Sequence, residues 1–156
     1  RYGLTGESVQ VSNNVVFGSG LLSAGMFGFY TISPITVSGS STISDNTIDG
    51  SDETPAIIIS SGNSFLFGNI IFGAEVGVIA IGDATIEGNL FFDNGRGIEI
   101  RKSDLVIRNN TFSRNDRGIL SDELGGSAII ELNLFENNNE QANGYLRIDR
   151  YRSIRR

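Results

Sequence analysis

Short runs in which apolar residues alternate with polar ones fill this chain, and no i, i+3, i+4, i+7 stripe of an amphipathic helix can be drawn through them. In IRNNTFSRNDRGILS (Ile107 to Ser121), Ile107 and Phe112 are separated by polar Arg108 and Thr111, as in a strand with one buried face. The same phrase, an Asn two residues before a large apolar side chain, occurs six times. The copies are VSNNVV (Val11 to Val16), ISDNTI (Ile43 to Ile48), LFGNII (Leu66 to Ile71), IEGNLF (Ile86 to Phe91), IRNNTF (Ile107 to Phe112) and IELNLF (Ile130 to Phe135). Their asparagines, Asn14, Asn46, Asn69, Asn89, Asn110 and Asn133, are 32, 23, 20, 21 and 23 residues apart. A period in the low twenties predicts a solenoid, in which one supersecondary unit stacks on the next.

A second strand follows each Asn. In three copies it comes after a Gly eight residues on: Asn69 to Gly77, Asn89 to Gly97 and Asn110 to Gly118. These strands are Val78 to Ile81, Ile98 to Ile100 and Ile119 to Ser121, and the Gly serves either an αL turn or a close backbone approach. In the other copies the reading assigns Phe29 to Ile32, Ala56 to Ile59 and Tyr145 to Ile148. Two or three short strands per turn of about 22 residues predict a parallel β-helix. At about 4.8 Å per coil, six coils make a rod of roughly 30 Å. Asn at a recurring inward position would form a hydrogen-bonded ladder between coils. The expected division is a lead-in over residues 1–8, the β-helix over 9–148 and a basic tail or cap over 149–156. Departures from the period mark insertions at Leu21 to Met26, Asp49 to Pro55 and Glu136 to Asn143.

Composition agrees with a turn-rich β protein: Gly is abundant at 20 of 156 residues, and Pro34 and Pro55 each stand just before an apolar run. Histidine and cysteine are both absent, which removes the commonest general base, the commonest metal ligand and any disulfide. No run reaches the roughly 18 apolar residues of a membrane span. The chain opens on Arg1 in mid-pattern without an initiator Met, as a processed protein or a piece of a longer one would. Of the net charge of −6, the stretch 147–156 carries +4, leaving −10 on the body. An acidic body of that size disfavours nucleic acid and anionic membranes as partners.

The phrase I-x-x-N-x-F followed by G-I-x-I resembles the right-handed parallel β-helix superfamily, the pectate-lyase-like fold, and within it the generic parallel β-helix repeat of extracellular and periplasmic proteins. The resemblance covers about 140 of the 156 residues. It implies an all-β, right-handed parallel β-helix of about six coils, and a location outside the cell, at its surface or in the periplasm. Enzymes of this superfamily are mostly polysaccharide lyases, epimerases and hydrolases. Those that rely on His have no counterpart here, whereas lyases that use an Arg base with calcium-holding acids leave a chemical possibility open.

The densest mixed-charge region lies in the fourth and fifth coils: Arg96, Arg101, Lys102, Arg108, Arg114 and Arg117 with Asp93, Glu99, Asp104 and Asp116. Arg96, Glu99, Arg101, Arg108 and Arg117 are the candidate binding residues, suited to a sugar carboxylate; ordinary solvated ion pairs are the simpler account. DNTIDGSDE (Asp45 to Glu53) has part of a calcium-loop pattern but carries Ala56 where a bidentate Glu is required. The outward column after each Asn reads Val15, Thr47, Ile70, Leu90, Thr111 and Leu134, joined by Ile58 and Leu120 on the second strands, and could dock another chain. Outward aromatics are expected at Tyr30, Phe72 and Phe92, with the other rings facing inward. The leading expectation is a non-catalytic structural or binding module: a rigid spacer, assembly unit or adhesin. It would need no cofactor, beyond a weak possibility of calcium, and would contact polysaccharide, copies of itself or another protein chain. The alternative is a lyase-type, carbohydrate-active enzyme.

Overall fold

In a computed structural model, residues 4–17, 22–23, 29–30 and 35–155 are described. Their strands stack in three parallel faces wound about one axis, and no helix occurs among them. The first face holds Gln10–Ser12, Thr42–Ser44, Asn63–Phe67, Asp83–Glu87 and Asp104–Arg108. The second holds Val15–Phe17, Thr47–Asp49, Ile70–Phe72, Leu90–Phe92 and Thr111–Ser113. The third holds Leu4–Glu7, Ile35–Ser38, Pro55–Ile59, Val76–Ala80 and Arg96–Ile100. The long strand Arg117–Glu136 then adds a rung to all three faces, and Glu140–Arg155 stacks on it as far as the pair Phe135–Arg155. The predicted parallel β-solenoid is therefore present, with five turns of chain linking the six phrase asparagines. Among the described residues, pairing spans Leu4 to Arg155.

The interior consists of apolar columns, one residue per turn. Val11, Ile43, Leu66, Ile86, Ile107 and Ile130 form one; Val16, Ile48, Ile71, Phe91, Phe112 and Phe135 form another. Their repetition in register is what parallel stacking needs, because each side chain then packs on its own copies above and below. The three rings of the second column stack at centroid separations of 5.0 and 4.9 Å. Beside them run Gly77, Gly97 and Gly118, whose φ is not positive. A Cβ on Gly97 would lie 2.5 Å from the Gly118 carbonyl and 2.7 Å from a Phe112 ring carbon. Close approach, not an αL turn, is the reason for these glycines.

Corners are made by polar ladders. The amide Nδ2 of each phrase Asn donates to Oδ1 of the next, from Asn14 through Asn46, Asn69, Asn89 and Asn110 to Asn133, at 2.9–3.1 Å. Each of those Oδ1 atoms also accepts the backbone N–H of the Asn in the preceding turn. The residue before each Asn is in the left-handed region: Asn13, Asp45, Gly68, Gly88, Asn109 and Leu132. A second ladder, Asn94 to Asn115 to Asn138, turns the corner between the second and third faces. It sits five residues after the first in three successive turns, a spacing that the sequence reading passed over.

Three assignments need correction. The third-face strand of the turn that follows Asn14 is Ile35–Ser38, which pairs with Pro55–Ile59, while Phe29–Tyr30 pairs antiparallel with Leu22–Ser23. In the last turn the third face is formed by Glu140 to Gly144, and Leu146 to Ile148 belongs to the first face. Distance from the Asn decides the register there: Gln141, eight residues after Asn133, fills the place of Gly118. Finally, Phe65 and Phe17 are exposed and Phe67 is half-buried, so these rings point outward. Alternation within Asn63–Phe67 gives the inward positions to Ser64 and Leu66. The insertion at Leu21 to Met26 lies largely outside the described residues.

A charged cleft along the second corner

Because the second ladder turns inward, the residues flanking it are left on the outer edge of the corner, one set per turn. They enclose an open cleft of about 860 Å³ that runs along the rod from Asp52 to Glu140. Backbone bonds between turns set Glu75, Gly95, Asp116 and Asn139 in one column. Strand register sets Val76, Arg96 and Arg117 in the next, with Glu140 after them. The backbones that carry these side chains are thus about one coil spacing apart, near 4.8 Å, and long side chains of adjacent turns can meet.

Each cleft arginine is matched by an acid. Arg114 forms a two-pronged pair with Asp93, both contacts at 2.7 Å, and its guanidinium lies 5.6 Å from the Phe92 ring centre. This hydrogen-bonded partner holds the Asp93 carboxyl below its ordinary 3.8 and raises Arg114. Arg117 reaches Glu140 at 3.0 Å, and Asn139 donates to Asp116 at 3.1 Å. Arg96 contacts Glu99 at 2.6 Å and stands 3.8 Å from Glu75.

Glu99 is unusual: it points outward from the third face yet is only 4 % exposed. Its second oxygen receives Arg101 Nε at 2.5 Å, so two guanidiniums close over it from either side. Ile79 and Leu120 flank it on the sheet. A buried carboxylate without such partners would carry a large desolvation cost.

Of the candidate residues, then, Arg96, Glu99, Arg101 and Arg117 gather on the third face and at its corner. Arg108 does not join them. It stands on the first face, paired with Glu87 at 2.8 Å, and with Asn109 it keeps that carboxyl below its ordinary 4.5. Arg114 and the Asp93–Asp116 pair of turns belong to the cleft as well; the signal for them is the second Asn spacing, since Asp93 and Arg114 each precede a ladder Asn. Asp45 is spent on a left-handed corner and Asp49 on the end of a strand, while Asp52 alone of that acidic run lines the cleft. Among the described residues no group of three His, Cys, Asp or Glu side chains converges as metal ligands would.

A separate surface is apolar. The predicted outward column is in register from Val15 to Leu134, each member exposed or half-buried. Around one turn, Phe65, Phe67 and Phe72 extend it on either side of Ile70, and Phe72 stacks on Phe92 at 4.8 Å.

Neither a curated protein nor a solved structure shows a significant match to this chain. The sequence model of one family does match, over residues 2–147, and its description is NosD, periplasmic copper-binding protein. A periplasmic family agrees with the expected location. The match covers nearly all of the described solenoid, and the chain belongs to the NosD family.

Proposed function

We propose that this chain is a rigid, non-catalytic binding rod of the periplasm or cell surface, and that its axial cleft holds a hydroxyl-rich, neutral polysaccharide. The observation that carries the reading is the cleft itself: a groove along the rod in which donors and acceptors recur once per turn and Arg96, Arg114 and Arg117 each have a carboxylate partner. A polymer with a short repeat can use such a groove over several turns. Sugar hydroxyls both donate and accept, so a guanidinium–carboxylate pair offers one hydroxyl a partner of each kind. A polyanion would have to displace the carboxylates already there and approach a body carrying −10. The Phe72–Phe92 stack beside Arg114 adds an apolar platform for a sugar face. Parallel strand stacking from turn to turn supports the rod as a spacer, and the apolar band from Phe65 to Phe72 would dock a second protein chain.

Affinity electrophoresis in gels containing neutral glucans, mannans or polyuronates tests this reading. Retardation is expected in a neutral glycan, with little change on adding salt. Arg117→Ala should weaken it about tenfold, the value of one hydrogen bond to a charged group. Migration unaffected by every neutral glycan would overturn the proposal, and release of unsaturated product from a polyuronate would establish the lyase alternative instead.

A further inference from the structure

The family is described as copper-binding, and the donor set of this chain does not fit that metal. Copper in proteins is held by imidazole nitrogen, thiolate or thioether sulfur, with Cu(I) favouring the sulfur donors. Over its whole length the chain has no His and no Cys, and one Met, Met26. A lone thioether cannot supply a coordination shell.

Oxygen and amide donors do not replace them. Four carboxylates of the cleft and the adjoining third face are engaged: Asp93 by Arg114, Glu99 by Arg96 and Arg101, Glu140 by Arg117, and Asp116 by Asn139. Glu75 stands 3.8 Å from Arg96, which leaves Asp52 as a single carboxylate, too few for a coordination shell. The amides of both ladders are hydrogen-bonded from turn to turn, and turning one toward a metal would leave buried groups of two coils without partners. Among the described residues no three acids converge as metal ligands would, and in the cleft the guanidiniums of Arg96, Arg114 and Arg117 repel a cation.

We infer that the β-helix of this chain does not bind copper by itself, and that a copper site formed on it takes its nitrogen or sulfur ligands from a partner molecule. The rod would then contribute shape and position, as it does in the polysaccharide reading, but the inference does not depend on that reading.

The test uses the full chain with Cu(II), and with Cu(I) under reducing, anaerobic conditions, in equilibrium dialysis against a chelator of micromolar affinity. Bound metal and thermal unfolding are both measured. The expected result is metal well below stoichiometric and a Tm that stays within about 1 °C of the apo value. Stoichiometric copper retained against the chelator, together with a rise of about 5 °C or more at roughly a hundredfold excess over Kd, would overturn the inference. Loss of that retention in Met26→Leu would then place the site at this residue. Copper retained by wild type and Met26→Leu alike would overturn it equally and point to oxygen or backbone ligands.

Discussion

At the residue scale the asparagines do the most. Asn110 Oδ1 accepts both the backbone N–H and the side-chain amide of Asn89, at 2.9 and 3.0 Å. Its own amide donates to the Ile86 carbonyl at 2.8 Å and to Asn133 at 3.0 Å. An Ala there would leave buried groups of two turns unsatisfied, so Asn110→Ala should cost about 3 kcal/mol in urea unfolding. Asn14, at the exposed end of the same ladder, should cost less than about 1 kcal/mol on the same change, because water replaces its bonds. Equal losses at the two positions would mean that burial of the ladder is not what makes it stabilising. The left-handed residue before each Asn is the other local device. Gly, Asn or Asp serves at five of the six corners, and Leu132 is the exception. A bulky side chain pays roughly 1 kcal/mol for that backbone.

At the scale of the element, a strand here is defined by its neighbours one turn away. Isolated three-residue runs such as Thr111–Ser113 have no stability of their own; each is held by the rungs above and below. The tightest joint between elements is the glycine column against the stacked phenylalanines. Gly97→Ala would drive a methyl into the Gly118 carbonyl and the Phe112 ring, and is expected to cost about 2–3 kcal/mol, visible as a lowered urea midpoint with native far-UV circular dichroism. Gly88→Ala offers a contrast, since its Cβ would meet nothing within 4 Å and the penalty there comes from its positive φ alone. The sequence spacing pointed to the glycines but left their purpose open between a turn and a close contact. The answer depends on Phe112, which precedes Gly118 in the same turn and meets Gly97, of the turn before, only when the turns stack.

For the whole molecule, stability is close to a sum over turns and their interfaces, with ion pairs as a surface layer on top. Two of those pairs make a pH prediction. Glu87 and Asp93 have carboxyls held below their ordinary 4.5 and 3.8, chiefly by hydrogen bonds from Arg108 and Arg114. In the unfolded chain both bind protons more readily, so their contribution is complete above the ordinary carboxylate range and is lost as pH falls through the lowered values. Tm should be level above about pH 5 and decline below about pH 4. Both pairs are solvent-exposed, so the decline should be gentle and should shrink in Glu87→Gln and in Asp93→Asn. A Tm that rises on acidification would contradict the assignment.

How far the sequence alone reached differs between rod and cleft, for a physical reason. A parallel solenoid repeats every contact one turn later, so its interior must be written periodically. The six asparagines and their paired Ile or Phe therefore announced the coil interior, its period and the outward column from Val15 to Leu134. What the tertiary structure decided is which residues of different turns share a surface. It separated Arg108 from Arg96, Arg101 and Arg117, although all four lie in one stretch of sequence, because the bend at Lys102 divides Arg96 and Arg101 from Arg108, and the corners at Asn110 and Asn115 divide Arg108 from Arg117. It also moved Phe65 to the exterior, buried Glu99 between two guanidiniums and opened the cleft along a second ladder. Those outcomes rest on lateral register and corner angle, which depend on pairings between residues some twenty positions apart and leave no fixed mark on the local pattern of apolar and polar residues.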